Sequence, residues 1–397
     1  MFRHQQFTVT FILLYVVSAL VIFANLLVMK NANEYADLDA LLADQTISNG
    51  IYNGFSHSLA DYKYRAYLSL SPEIVAIGTS RAMQIRGYFF NAPFYNLGGL
   101  VSRPEQAIAI ASQLLLKKPP KVVLFMLDYW SFCGQPNEVL PSAPSSWHDG
   151  QGKTNRYFAP LVLLSKGQLT ANNYFKLLMG GDDGKFRRYG ISAHLSRSGF
   201  ARDGSMYYAP GYDVYDLNSR FDDRLQVVPN GITQTHTCAN SIRALAHLDT
   251  FVKRMEAGGS KVVLMLAPLP TIVIEKMKTT NAFGIVGADG YAYLPQLKES
   301  LIKRYGEDFF DYLDLRSIGA TDCEFVDGNH GGELAYMRMI ENASQRPGNA
   351  LEPFVKHEVL RSAIKKYRGL NTLALDGVGD YQLPLDAATA CSGVSER

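Results

Sequence analysis

The sequence predicts an α/β fold, a parallel sheet with helices on both faces, behind a single apolar N-terminal helix. Three observations carry this reading. Short apolar runs recur without polar alternation, as expected of strands buried on both faces. Stretches with helical spacing separate them, and strands that alternate with helices imply parallel pairing. The stretch Thr8–Met29, TVTFILLYVVSALVIFANLLVM, holds 22 residues and no charge. At about 1.5 Å per residue it makes about 33 Å of helix, enough for a hydrocarbon core roughly 30 Å thick.

The elements follow in chain order. A cleaved signal peptide would have an apolar region of about 7–15 residues before a small-x-small site. The run here is longer and VMKNANEYA is a poor cleavage site, so the segment reads as an uncleaved signal anchor. Arg3 precedes it, Lys30 follows it, and Glu34, Asp37 and Asp39 come soon after. The positive-inside rule then favours a cytoplasmic N-terminus and a domain outside the cytoplasm. Residues 31–72 read as a polar, partly helical spacer. The first strand lies in EIVAIGTSR, Glu73–Arg81, and a short second strand fits Phe94–Leu97 before Gly98-Gly99. Pro104–Leu116 has helical spacing. Pro119-Pro120 introduce the third strand, KVVLFMLD, Lys121–Asp128. Cys238–Ala257 reads as an amphipathic helix closed by Gly258-Gly259. KVVLMLA, Lys261–Ala267, is the fourth strand, stopped by Pro268. Leu294–Tyr305 is helical, Phe309–Leu313 is the last strand, and a helix follows over Gly331–Ala343. About 100 residues between Cys133 and Thr235 break the rhythm and are rich in Gly, Ser, Asn, Asp and Tyr. Long connections of this kind are usually functional, so a cap or partner surface is expected there. The expected organisation is an anchor over 1–30, a spacer over 31–72, an α/β domain over 73–350 with an insertion at about 133–235, and a C-terminal helix and tail over 351–397.

Composition narrows the function. The chain has 397 residues, 39 Lys+Arg and 37 Asp+Glu, and beyond residue 30 the two signs balance. That argues against a nucleic-acid-binding protein, which shows a basic excess. An apolar content of 47% with 19% charged residues excludes a disordered chain. Cys133, Cys238, Cys323 and Cys391 form no C-x-x-C pair, so no structural zinc site is expected. A bridge from Cys133 to Cys238 or Cys323 would suit an oxidising compartment. His148, His194, His236 and His247 have no ligand spacing, and neither a metal nor a cofactor is expected.

The chemistry-bearing residues lie where such sheets bind ligands, at the carboxyl ends of the strands. Ser80 follows the first strand, Gly98-Gly99 the second and Asp128 the third, while Asp327-Gly328-Asn329-His330 lies beyond the last. A Ser, an Asp and a His brought to one edge are the parts of a nucleophilic triad. A hydroxyl needs a base at neutral pH, so His330 is assigned to take the Ser80 proton and Asp327 to fix the His330 tautomer. With two residues between them, one turn presents both side chains to the same spot. The amides of Ser80 and of Gly98 or Gly99 are the candidate oxyanion donors. Arg81, Arg86 and Arg103 lie close in sequence to this pocket. Arg81, Arg103 and Asp128 are the candidate substrate-binding residues, the arginines for a carboxylated or phosphorylated polymer. RDGSMYY, Arg202–Tyr208, reads as a turn that is also placed to line substrate.

Strand-GTSR, then FYNLGG, then VDGNH resemble the blocks of the SGNH, or GDSL-type, hydrolase superfamily, over roughly residues 73–130 and 240–345. The resemblance is to its membrane-anchored envelope branch. It implies a flavodoxin-like sheet, Ser80 as nucleophile, Asp327 and His330 as acid and base, and Gly98 or Gly99 as an oxyanion-hole glycine. GTS stands where GDS or GSS is more usual, and Asp128 stands where the third block carries an Asn. A single anchor on such a domain resembles proteins of alginate acetylation and of the D-alanylation of lipoteichoic acid. That implies a single-pass protein of the bacterial inner membrane with its domain on the extracytoplasmic side. It further implies acyl transfer to, or removal from, a surface polysaccharide or related glycopolymer, beside a membrane-bound O-acyltransferase. The alternative, motivated by Asp128 and the long insertion, is a non-catalytic member of the fold that binds a glycan or scaffolds a modification or export complex. A lipase ranks third, because no second apolar segment suggests a lipid-facing lid.

Overall fold

Five of the apolar runs pair into one parallel sheet in the computed structural model, which describes residues 2–48, 50–53, 59–116, 118–133, 158–180, 187–195, 199–207, 221, 241–280 and 293–373. The strands are β1 (Ile74–Gly78), β2 (Phe94–Gly98), β3 (Val122–Leu127), β4 (Lys261–Leu266) and β5 (Phe309–Asp311), in the spatial order β2-β1-β3-β4-β5. All four pairings are parallel. The order reverses between β1 and β3, which makes that junction the switch point where a doubly wound sheet opens a crevice. Gly78 lies opposite Gly98, and Ile77 opposite Phe125, so β1, β2 and β3 end at the same edge.

Every residue of β1, β2 and β3 is buried. Neither face of these strands meets water, which is why their sequences lack alternation. Ile74, Ala76, Val122 and Leu124 point into a core shared with helix Glu333–Ser344 and helix His357–Lys366. On the other face Phe125 meets Phe251 of helix Ser241–Ala257, ring centroids 5.3 Å apart. That helix packs along helix Pro104–Leu114. Each fully buried apolar side chain contributes about 1.5–3 kcal/mol, so β3 alone supplies roughly 10 kcal/mol against chain entropy.

The chain divides into two compact units, one of Met1–Ser58 with Trp147–Phe200, the other of Leu59–Ser146 with Ala201–Arg397. The division departs from the expected organisation at two places. Helix Leu59–Leu70, expected within the spacer, belongs to the α/β unit. Its buried face is Ala60, Tyr62, Lys63, Ala66 and Tyr67, a set too polar to announce itself by hydropathy. Tyr64 donates to Gln113 Oε1 at 2.5 Å and Tyr67 to the Leu114 carbonyl at 3.3 Å, so hydrogen bonds replace the aliphatic contacts. The expected insertion is also not one piece: its middle groups with the N-terminal segment, and from Ala201 the chain is back in the α/β unit. Residues 134–157, 208–220 and 222–240 of that stretch, and 374–397 of the expected tail, lie outside the described residues.

In the first unit, helix Phe2–Asn31 contains one segment, Gln6–Asn31, long and apolar enough to cross a membrane. Gly50–Asn53 pairs in parallel with Arg188–Tyr189, Tyr52 opposite Arg188. In the second unit Cys133 and Cys323 are both disulfide-bonded. The other two cysteines, Cys238 and Cys391, lie outside the described residues.

Candidate active site

The turn that carries Ser80 is made possible by Gly78. Its φ is +144°, and a Cβ there would sit 2.7 Å from the Met126 carbonyl oxygen, so only glycine lets β1 end this close to β3. Thr79 then caps one turn of 3-10 helix, Ser80–Ala82, its hydroxyl oxygen accepting from the Arg81 amide at 3.3 Å. Ser80 opens that turn and is partly exposed. Its amide makes no hydrogen bond among the described residues.

Asp327 and His330 come from a turn built by the aspartate itself. Asp327 Oδ1 accepts from the amides of Asn329 at 2.7 Å and His330 at 2.8 Å, the side-chain-to-backbone turn that Asp favours. Phe325 pairs with Gly331, and the Val326 amide donates to the His330 carbonyl at 2.8 Å. The loop is rooted by Glu324, whose two carboxylate oxygens take Arg338 Nε at 2.8 Å and Nη2 at 2.9 Å inside the core.

These two pieces meet at the edge of the sheet. Ser80 Oγ lies 2.8 Å from His330 Nε2. His330 Nδ1 lies 2.8 Å from Asp327 Oδ2 and 3.0 Å from Oδ1. With the proton on Nδ1 facing the carboxylate, Nε2 offers its lone pair to the serine hydroxyl, the nucleophile, base and orienter arrangement of a triad. Burial alone would raise the Asp327 pKa. The hydrogen bond and charge of His330, with the Asn329 and His330 amides, outweigh it and hold the carboxyl below its ordinary 3.8. Asp327 is therefore ionised at neutral pH.

The other expected site residues take different places. Gly98 and Gly99 lie beside the turn, but both amides are engaged: Gly98 donates to Asn96 Oδ1 at 2.7 Å, and Gly99 to the Gly78 carbonyl at 2.8 Å and the Thr79 carbonyl at 3.0 Å. That corrects their assignment as oxyanion donors and leaves the Ser80 amide. Arg81 and Asp128 do not face a ligand. Arg81 Nη1 donates to Asp128 Oδ1 at 2.7 Å, with both side chains 0% exposed. Asp128 Oδ2 accepts from the Thr79 hydroxyl at 2.7 Å. The carboxylate so close to Ser80 thus binds both of its sequence neighbours. Arg81 Nη2 also donates to the Pro268 carbonyl, its guanidinium lies 5.0 Å from the Trp130 ring, and its carbonyl accepts from the Tyr336 hydroxyl. Arg86 is buried too, 3.6 Å from Glu333 and donating to Ser205 Oγ at 3.1 Å. Arg103 is half-buried at the N-terminal end of helix Pro104–Leu114. In RDGSMYY, the Asp203 carboxylate accepts from the amides of Gly87 and Ser205 and its carbonyl accepts from the Asn96 amide at 2.7 Å, so this segment braces β2 as a turn.

Two supports went unread in the sequence. Asn96 is fully buried, and its Nδ2 donates to the carbonyls of Ala82 at 2.8 Å and Ile85 at 2.9 Å, tying β2 to the Ser80 turn. Lys63 donates to the Gly98 carbonyl at 2.6 Å, and burial, partly opposed by Asp203, pushes its pKa down to about 7. A polar residue inside an apolar strand was the available signal for Asn96; Lys63 had none. Among the described residues no three His, Cys, Asp or Glu side chains gather as metal donors. No protein-family model, curated protein or solved structure matches the chain.

Proposed function

We propose that this chain is a serine-dependent O-acyltransferase or esterase of the SGNH type, working on a surface polysaccharide or related glycopolymer. The observation that supports it is the continuous relay from Ser80 Oγ to His330 Nε2 at 2.8 Å and from His330 Nδ1 to Asp327 at 2.8 Å. In the first half-reaction His330 takes the Ser80 hydroxyl proton as Oγ attacks the acyl carbonyl carbon. The carbonyl oxygen becomes an oxyanion facing the Ser80 amide, and collapse expels the donor alcohol, which leaves with the proton from His330. In the second half-reaction His330 takes a proton from a glycan hydroxyl or from water, whose oxygen attacks the acyl-serine. Ser80 leaves with that proton, so no net proton is gained or lost.

The apolar segment Gln6–Asn31 supports an anchor in the bacterial inner membrane with the α/β unit on the extracytoplasmic side. Disulfide-bonded Cys133 and Cys323 favour the same side, since such bonds persist in oxidising compartments. The partner in this reading is a membrane-bound O-acyltransferase that delivers the acyl group. The test is the full-length protein in detergent with a fluorophosphonate probe and a chromogenic acetyl ester, beside Ser80→Ala. Labelling and turnover that vanish in the variant support the reading; equal labelling of both proteins removes it.

The engaged amides of Gly98 and Gly99 favour a second reading, a glycan-binding or scaffold subunit without turnover. It expects Ser80→Ala to leave polymer modification in cells unchanged.

A further inference from the structure

The first unit places amphipathic helices directly on the end of the apolar anchor. Val28 and Ala32 are buried in a small core with Leu169, Tyr174, Leu177 and Ile191. Asn31 Nδ2 donates to the carbonyl of Leu177 at 2.8 Å and of Leu178 at 3.3 Å, closing the end of helix Ala171–Leu178. The Gly190 amide donates to the Ala32 carbonyl at 2.9 Å, and Glu34 accepts from the Ile191 amide at 2.8 Å. These helices therefore sit at a fixed depth relative to the anchor.

That depth follows from helix geometry. Gln6–Asn31 is 26 residues. At about 1.5 Å per residue it spans about 39 Å, some 9 Å more than the hydrocarbon core. Its large apolar side chains are exposed as far as Leu26, and Val28 and Met29 are covered by protein. From Leu26 to Asn31 the helix climbs only about 8 Å, roughly the thickness of one headgroup layer. Helix Ala171–Leu178 is bonded at that level.

The surface it turns outward is apolar and basic. Phe175 is 61% exposed and Met179 83%, four residues apart on one stripe. Phe158 and Val162, bracketing the start of helix Ala159–Ser165, repeat the spacing and are also exposed. Residues 158–180 carry Lys166 and Lys176 and no acidic residue. An apolar stripe with cations beside it is the pattern of helices that lie in an anionic membrane surface.

We infer that helices Ala159–Ser165 and Ala171–Leu178 form a collar embedded in the headgroup layer where the anchor emerges, Phe175 and Met179 reaching the acyl boundary and the lysines facing lipid phosphates. This rests on the reading of the first helix as a membrane span. The collar would fix the height of the first unit against the bilayer instead of leaving it on a loose tether.

The experiment uses full-length protein in vesicles of phosphatidylcholine with one-third phosphatidylglycerol. A nitroxide is placed in turn by Phe175→Cys, Met179→Cys and, in the anchor, Val16→Cys, with free label in buffer as the aqueous reference. Collisions with oxygen and with a water-soluble nickel complex are compared. The collar expects oxygen to exceed nickel severalfold at 175 and 179, by less than at 16. Nickel accessibility equal to free label at 175 and 179, with position 16 still deep, overturns the collar and leaves the span standing. Shielding from both reagents at 175 and 179 also overturns it, since protein then covers the stripe. Nickel access at position 16 overturns the span itself, and the collar with it.

Discussion

Removing the Asp128 carboxylate tests how the Ser80 turn is held. In Asp128→Ala the buried Arg81 guanidinium keeps the Pro268 carbonyl and the Trp130 ring 5.0 Å away, but loses its anion at 2.7 Å. An uncompensated buried charge of this kind costs about 3–5 kcal/mol. Against a total stability of about 5–15 kcal/mol that is a large fraction. Thr79 loses its acceptor at the same time, so both neighbours of Ser80 are released. Pairing Asp128→Leu with Arg81→Met removes the charge along with its partner, and such exchanges are roughly neutral or stabilising. The double variant should therefore recover most of the stability yet remain slow in the proposed reaction of Ser80, because a shift of about 1 Å in a reacting group costs on the order of 100-fold in rate. Urea denaturation of the full-length protein in detergent measures the first effect, and fluorophosphonate labelling rates measure the second. The clamp is wrong if Asp128→Ala costs under about 1 kcal/mol, or if the double variant labels at the wild-type rate.

Four further outcomes follow from the geometry. Asp327→Asn keeps a hydrogen-bonding side chain beside His330 but loses the charge, and ester turnover should fall by about 10⁴, as when the orienting carboxylate of a triad becomes an amide; a loss under tenfold would show that His330 needs no orienting acid. Because the folded Asp327 pKa lies below 3.8, its contribution to stability is present above that pH and lost as pH falls through the folded value, so the wild-type advantage over Asp327→Asn should shrink only below pH 3.8. Lys63 has the opposite slope: charged in both states below about 7, it carries its full burial cost there, and the cost is relieved between about 7 and 10.5. The stability of wild type relative to Lys63→Met should rise with pH across that window, and a flat difference would mean that Lys63 titrates normally. Gly78→Ala forces a Cβ to 2.7 Å from the Met126 carbonyl at φ +144°, and backbone strain alone costs about 1–3 kcal/mol, so the variant should melt lower and label slowly; wild-type stability would refute the tight approach of β1 to β3.

Much of the α/β unit is written locally. Runs such as IVAIG and VVLFML are apolar on both faces because helices cover both, and five short strands appear within a few residues of their expected bounds. The D-x-x-H turn is local as well, since Asp327 organises the amides of Asn329 and His330 itself. The sequence could nominate Ser80, Asp327 and His330 from residue type and order, but their meeting spans 250 positions and depends on where β1 ends against the last loop. The fate of Asp128 was decided the same way. Its residue type suited a ligand contact, and only the packing of β1 beside β3 brought Arg81, 47 positions away, into the same dry space, where a buried carboxylate must take a cation. The Gly99 amide was lost to the Gly78 and Thr79 carbonyls by an equally non-local closure of the turn, whereas the Gly98 amide went to Asn96 on its own strand. Local periodicity reports which faces are buried; which polar groups satisfy one another is settled only when distant segments compete for the same donors and acceptors.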